Sequence, residues 1–104
     1  MIAAGPMLAD AAAVIHEDFG FDALYLAPGA AAVPCRVVEE RNVEQIGDMG
    51  QVIERRTALS FLASEVPVPE RGAIVEEVAP GTRRWTIDRV ADDDGYVVQA
   101  LVTR

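Results

Sequence analysis

Asp92, Asp93 and Asp94 stand in a row before Gly95. Such a run of carboxylates raises three readings: a metal site, a catalytic cluster or a turn. A calcium loop needs acidic ligands at alternate positions and a later bidentate glutamate. Here the carboxylates are consecutive, so neighbouring side chains diverge, and no glutamate follows. Asp-Gly between alternating apolar segments is a strong hairpin signal, because glycine accepts the positive φ of a tight turn. The residues therefore read as the tip of a hairpin, with Asp93, Asp94 and Gly95 at the turn and Trp85 and Ile87 anchoring one arm in the core.

The other reactive side chains do not assemble either. His16 is the only histidine and Cys35 the only cysteine. One of each cannot supply the four ligands of a structural zinc, and with Ser60 and Ser64 they form no recognisable nucleophile–base pair. His16, beside Glu17, is expected on a solvated helix face, and Cys35, inside "AAVPCRVV", as a buried thiol. Glu39-Glu40 and Glu76-Glu77 lie on strand candidates, where neighbours point to opposite faces. Gly47, Gly50 and Gly72 make no phosphate-binding loop, since no lysine follows and no helix is signalled. No cofactor, metal or catalytic set is expected, and the chain does not read as an enzyme.

Two basic doublets, Arg55-Arg56 and Arg83-Arg84, stand out on a chain of net charge −8. One reading is edge-strand charge that blocks aggregation. The sharper one is contact with an acidic neighbouring subunit, since arginine pairs bidentately with carboxylates. All nine basic residues are arginines, which a GC-rich coding sequence explains. The acidic balance argues against nucleic-acid binding by phosphate neutralisation, which needs a clustered basic face. The N-terminal stretch lacks the basic start of a signal peptide. No apolar run reaches the roughly 20 residues of a membrane span. An intracellular, soluble protein is expected.

The elements that must carry these residues come from the pattern. The 104 residues suit one small domain. Pro6 suits a first helical turn. Leu8, Ala11, Ala12, Ile15 and Phe19 then recur at helical spacing, predicting a helix over about 7–19 within an N-terminal segment 1–20, with Gly20 as a left-handed stop. Strands are predicted at 21–28, 32–40, 56–66, 73–78, 83–90 and 96–103, separated by turns at Pro28-Gly29, Pro67 to Gly72 and "APGT". The strand at 56–66 reads as half-buried. In 83–90 the apolar phase slips between Ile87 and Val90, which a bulge near Asp88-Arg89 would reconcile. Residues 41–55 keep neither period and read as a long flexible loop, a mobile arm or a long hairpin. The fold class is mainly β: a small antiparallel barrel or sandwich of about six strands with one N-terminal helix.

The order of these parts, with "SFLASEVPVPERGAIV" and the closing "WTIDRVADDDGYVVQALV", resembles the lambda-type phage head–tail joining (neck connector) proteins, a family with prophage and gene-transfer-particle members. The motifs that carry the resemblance run from Val66 to Gly72 and from Trp85 through Asp88-Arg89-Val90 to Asp93-Asp94-Gly95. The resemblance implies a structural protein of the particle neck that forms a ring and joins the DNA-filled head to the tail. The implied partners are further copies of itself, a portal-side neck protein and tail proteins. DNA would pass through the channel without specific binding, and no membrane is involved. The long loop is then expected to order on docking, with Val43, Ile46, Met49 and Val52 buried on a neighbour and the arginine doublets at the interface. Two other classes remain open: a stand-alone β-domain adaptor, and a small ligand-binding barrel, which would need a deep pocket with converging polar groups.

Overall fold

The structure, a computed structural model, describes residues 4–104, with side chains from residue 11 onward except those of Ala12 and Ile53. The first three residues of the expected N-terminal segment lie outside the described residues. Helix α1 (Ala4–Phe19) precedes six strands: β1 (Phe21–Leu26), β2 (Val33–Ile46), β3 (Val52–Leu62), β4 (Ile74–Glu77), β5 (Arg84–Asp93) and β6 (Val97–Thr103). All neighbours pair antiparallel, and the sheet closes as a barrel in the order β1-β2-β3-β6-β5-β4. Closure comes from β1 against β4, where Tyr25 sits opposite Val75. The closed barrel itself leaves no free edge, but Arg55-Arg56 lie on β3 beyond its pairing with β6, where the strand is paired on one side only.

Alternation along each strand sends one set of side chains into a continuous core: Ala23 and Tyr25, Cys35 and Val37, Leu59 and Phe61, Val75, Trp85 and Ile87, Ala100 and Val102. The interior is therefore filled rather than hollow. Phe21 lies beside Trp85 with ring centroids 5.6 Å apart, and Tyr25 meets Phe61 edge-on at 6.2 Å. The Tyr25 hydroxyl accepts the Glu70 amide hydrogen at 2.7 Å, which fixes the proline-rich connection where Gly72 takes a φ of 86°. At the last turn, Gly95 has a φ of 88°. Asp93 Oδ1 accepts from the Gly95 amide, and Asp94 Oδ1 accepts from the amides of Tyr96 and Val97. These bonds hold the Asp94 carboxyl below the usual aspartate range. The aspartate run thus ends a hairpin arm, with Asp92 and Asp93 paired to Gln99 and Val98 and Asp94 opening the turn. Among the described residues no group of three His, Cys, Asp or Glu side chains could hold a metal ion.

Three expectations change. Of the readings given for residues 41–55 the long hairpin is the one seen, mostly paired strand rather than loop: Val43 faces Arg56, Glu44 faces Arg55 and Ile46 faces Val52. The register shifts between Glu40 and Val43, where Asn42 adopts a φ of 59°. That extra residue is a bulge, and asparagine tolerates the left-handed conformation better than most. It reverses the alternation halfway along β2, so the sequence shows no single period. A second bulge falls between Ile87 and Arg89, where the slipping apolar phase placed it.

The helix also differs. Its expected packing stripe faces outward, since Ala11, Ile15 and Phe19 are exposed, Phe19 by 74%. His16, expected in solvent, is 2% exposed. Its Nε2 lies 3.1 Å from the Ser60 carbonyl oxygen, which calls for the tautomer with hydrogen on Nε2. Residues Ala58 to Phe61 are all buried because α1 lies over β2 and β3 and covers the outward side of a strand expected to be half-buried.

Gly20 is the third change. It is not among the residues of positive φ, so it is no left-handed stop. It is required because a β-carbon there would stand 2.8 Å from the Val37 carbonyl oxygen and closer still to that of His16. Both are backbone atoms that cannot turn away. Gly20→Ala is expected to destabilise the fold by about 1–3 kcal/mol, the cost of overpacking a fixed contact. Chemical denaturation measures it, and an unchanged midpoint would contradict the close approach.

Candidate docking surfaces

Beyond the bulge at Asn42, β2 and β3 leave the barrel as a two-stranded arm. Its base is braced against β5. Arg56 donates to Asp88 Oδ2 at 3.2 Å and lies 3.4 Å from Glu54, while Arg89 donates to Gln45 at 3.1 Å. The tip closes with the Gly47 amide donating to the Gln51 carbonyl at 2.8 Å and the Gly50 amide to the Gly47 carbonyl at 3.0 Å. Gly50 supplies a φ of 79°. This turn lifts Met49 into solvent at 89% exposure, with Ile46 and Val52 exposed just below it and Val43 half-buried near the base. The radius of gyration, 14.2 Å, exceeds the ~13 Å of a compact chain of this length, as a projecting arm requires.

The second exposed apolar surface is on α1, with Val14, Ile15 and Phe19; Ile15 borders a cleft shared with His16 and with Val38 and Val97 of the barrel side. Ile15 and Phe19 are one turn apart and form a single ridge. The helix is held by polar contacts at its C-terminal end rather than by this ridge. Arg36 donates through Nε to the His16 carbonyl at 3.0 Å and through a terminal nitrogen to the Glu17 carbonyl at 2.8 Å. Its other terminal nitrogen meets Asp22 at 3.0 Å. A guanidinium satisfying the last carbonyls of a helix and opposing its dipole is a favourable cap. Arg36 did not stand out in the sequence, and His16 did so only as the one histidine, expected in solvent. Their partners lie 20 and 44 residues away along the chain, and no local pattern marks such a pairing.

The arginine doublets split. Arg55 and Arg84 face outward, each beside a glutamate of the same protein, Glu44 at 3.4 Å and Glu76 at 3.5 Å. Arg56 and Arg83 are largely committed to the protomer. Arg83 donates to both carboxylate oxygens of Glu77 at 2.9 and 3.0 Å and to Glu39 at 2.8 Å. Its guanidinium carbon lies 4.4 Å from the Phe21 ring centre and 5.2 Å from that of Trp85. That network closes one end of the barrel over Trp85. Glu40 serves the opposite face, accepting hydrogen bonds from the Ser60 hydroxyl and from Gln99. The Ser60 hydroxyl is thereby turned to a carboxylate rather than to His16, whose ring meets the backbone of Ser60 instead.

Hydrogen bonding from Arg83 holds the Glu77 carboxyl below the usual glutamate range. A depressed carboxyl contributes stability that is present above its unfolded value, about 4.3 for glutamate, and is lost as the pH falls through the folded value. The melting temperature should therefore drop on acidification through that window. The drop should be shallower in Glu77→Gln. Parallel curves for the two proteins would show that the pair does not contribute.

Burial, with Glu65 and Asp22 nearby, pushes the Cys35 thiol up to about 12. It is a core side chain without thiolate character at neutral pH. Two surface clefts, each about 340 Å³, are open to solvent. One lies beside Tyr96 and the other beside Cys35. The second is lined in part by Ala23 and Cys35, at the margin of the filled interior. What the surface offers is a projecting apolar tip and an apolar helix ridge, both suited to another protein. A family model described as phage head-tail attachment protein matches residues 4–102. No curated protein matches the chain.

Proposed function

The chain belongs to the phage head–tail attachment protein family, a structural family of the virion neck, and we propose that its copies form a ring there, between the portal-side neck protein and the tail. The observation that carries this reading is the projecting arm, whose tip exposes Met49 and Ile46 at 89% and 56%. An isolated soluble domain gains nothing from presenting such side chains at the end of a braced hairpin, whereas a subunit gains a contact.

DNA would pass through the ring. Net charge −8 suits a conduit, because an acidic wall repels phosphates and lets the duplex slide, while clustered arginine and lysine would hold it. The role is docking rather than catalysis. Val43, Val52 and the outward arginines Arg55 and Arg84 would join Ile46 and Met49 at contacts between subunits or with the neighbouring neck proteins. Arg56 and Arg83 would act by keeping the arm base and the barrel end rigid.

Quantitative mass spectrometry of purified particles tests the ring. Several copies per particle, in fixed ratio to the portal protein, are expected. One copy per particle would overturn it.

A further inference from the structure

A ring needs two different surfaces on every copy, each complementary to the other, because a head-to-tail contact repeats around the circle. Six of the exposed large apolar side chains fall on two elements: Val14, Ile15 and Phe19 on α1, and Ile46, Met49 and Val52 on the arm. Resting on the ring reading, we propose that the arm tip of one copy seats on the α1 ridge of the next, with Met49 and Ile46 packed against Phe19 and Ile15.

Charge selects this pairing. Residues 41–56 carry three arginines (Arg41, Arg55, Arg56) and three acids (Glu44, Asp48, Glu54), a net charge of zero. The other 88 residues therefore hold the whole −8. Two acidic bodies repel on approach, and the arm is the part of the chain that can reach a second copy without that penalty. The exposed acids Glu17 and Asp18 flank Phe19, and Arg55, exposed near the tip, has the sign to meet them.

Reach forbids the same contact within one copy. His16 sits over Ser60, which pairs with Val38 on β2. From Val38 to Ile46 the strand advances eight residues, about 26 Å. The helix ridge and the tip of one protomer are thus held apart by a paired hairpin, and a tip that covers the ridge must come from another copy. Burial there would also explain why an apolar stripe at helical spacing faces solvent in the single chain.

Paired substitutions in assembled particles test this. Phe19→Cys is combined with Met49→Cys, and a second pair uses Ile15→Cys with Ile46→Cys. The control joins Met49→Cys to Val68→Cys, an exposed site on the β3–β4 connection. Cys35 is buried and stays silent. Disulfides bridge only positions whose Cα atoms come within about 7 Å. Under oxidation the first two pairs are expected to convert the monomer band into a ladder of covalent multimers on a non-reducing gel, and the control is expected to remain monomeric. An absence of ladders in both test pairs, in particles that contain several copies, would overturn the tip-to-ridge contact and leave the ring intact. Adducts to a different neck or tail protein would overturn it too, assigning the tip to that partner. A single copy per particle would instead remove the ring on which the proposal rests.

Discussion

Replacing Met49 and Ile46 together with aspartate is expected to leave the protein folded and as stable as wild type while sharply reducing head–tail joining. Both side chains project from the arm tip into solvent, so their removal takes nothing from the core. Exposed substitutions of this kind shift stability by about 0.5 kcal/mol or less. The cost appears on assembly. A buried apolar anchor at an interface contributes about 2 kcal/mol or more, roughly a 30-fold change in association constant. A carboxylate in its place adds desolvation, and a ring multiplies the loss at every repeat. Thermal unfolding and a count of tailed particles measure the two sides. Deleting residues 43–51 should act the same way. If either variant joined heads to tails normally, the arm would have no part in docking.

Trp85→Ala is expected to do the opposite, abolishing joining by unfolding the subunit. Trp85 is 1% exposed and lies beneath the Arg83–Glu77–Glu39 network, against Phe21 and within 5.5 Å of the Arg104 guanidinium carbon. Truncating a buried tryptophan costs about 3–5 kcal/mol, a large share of the about 5–15 kcal/mol that holds a domain together. Arg83 would also lose one of its two rings. Trp85→Phe should be much milder. It keeps a ring, and the Trp85 indole N–H that it removes has no hydrogen-bond partner among the described residues. Urea denaturation of both variants checks the order. Equal losses would mean that volume at this position matters less than the packing indicates.

The strands and turns were legible in the sequence because their signals are local. Asp94-Gly95, Pro28-Gly29 and Gly72 mark chain reversals through backbone conformations that few other residues accept, and alternation around Leu59, Trp85 and Ala100 marks the faces between them. Closure through β1 and β4 was not legible, since it joins segments about fifty residues apart. Nor was the arm. The bulge at Asn42 reverses the alternation of β2, and a reversed period looks like no period. The helix misled for another reason. Apolar spacing shows that a stripe is to be covered, without showing by what, and Ile15 and Phe19 are not covered by their own barrel. The outward arginines Arg55 and Arg84 could be proposed from sequence, but the internal commitment of Arg56 and Arg83 rests on Asp88, Glu39 and Glu77 being brought near by the closed sheet.

The central claim is that this protein joins heads to tails by docking. It is tested most directly by producing DNA-filled heads and free tails without the protein, adding it back in purified form, and counting joined particles by electron microscopy. The account predicts that heads and tails stay separate until the protein is added and then join in proportion to it. Joining at the same rate without it would contradict the account.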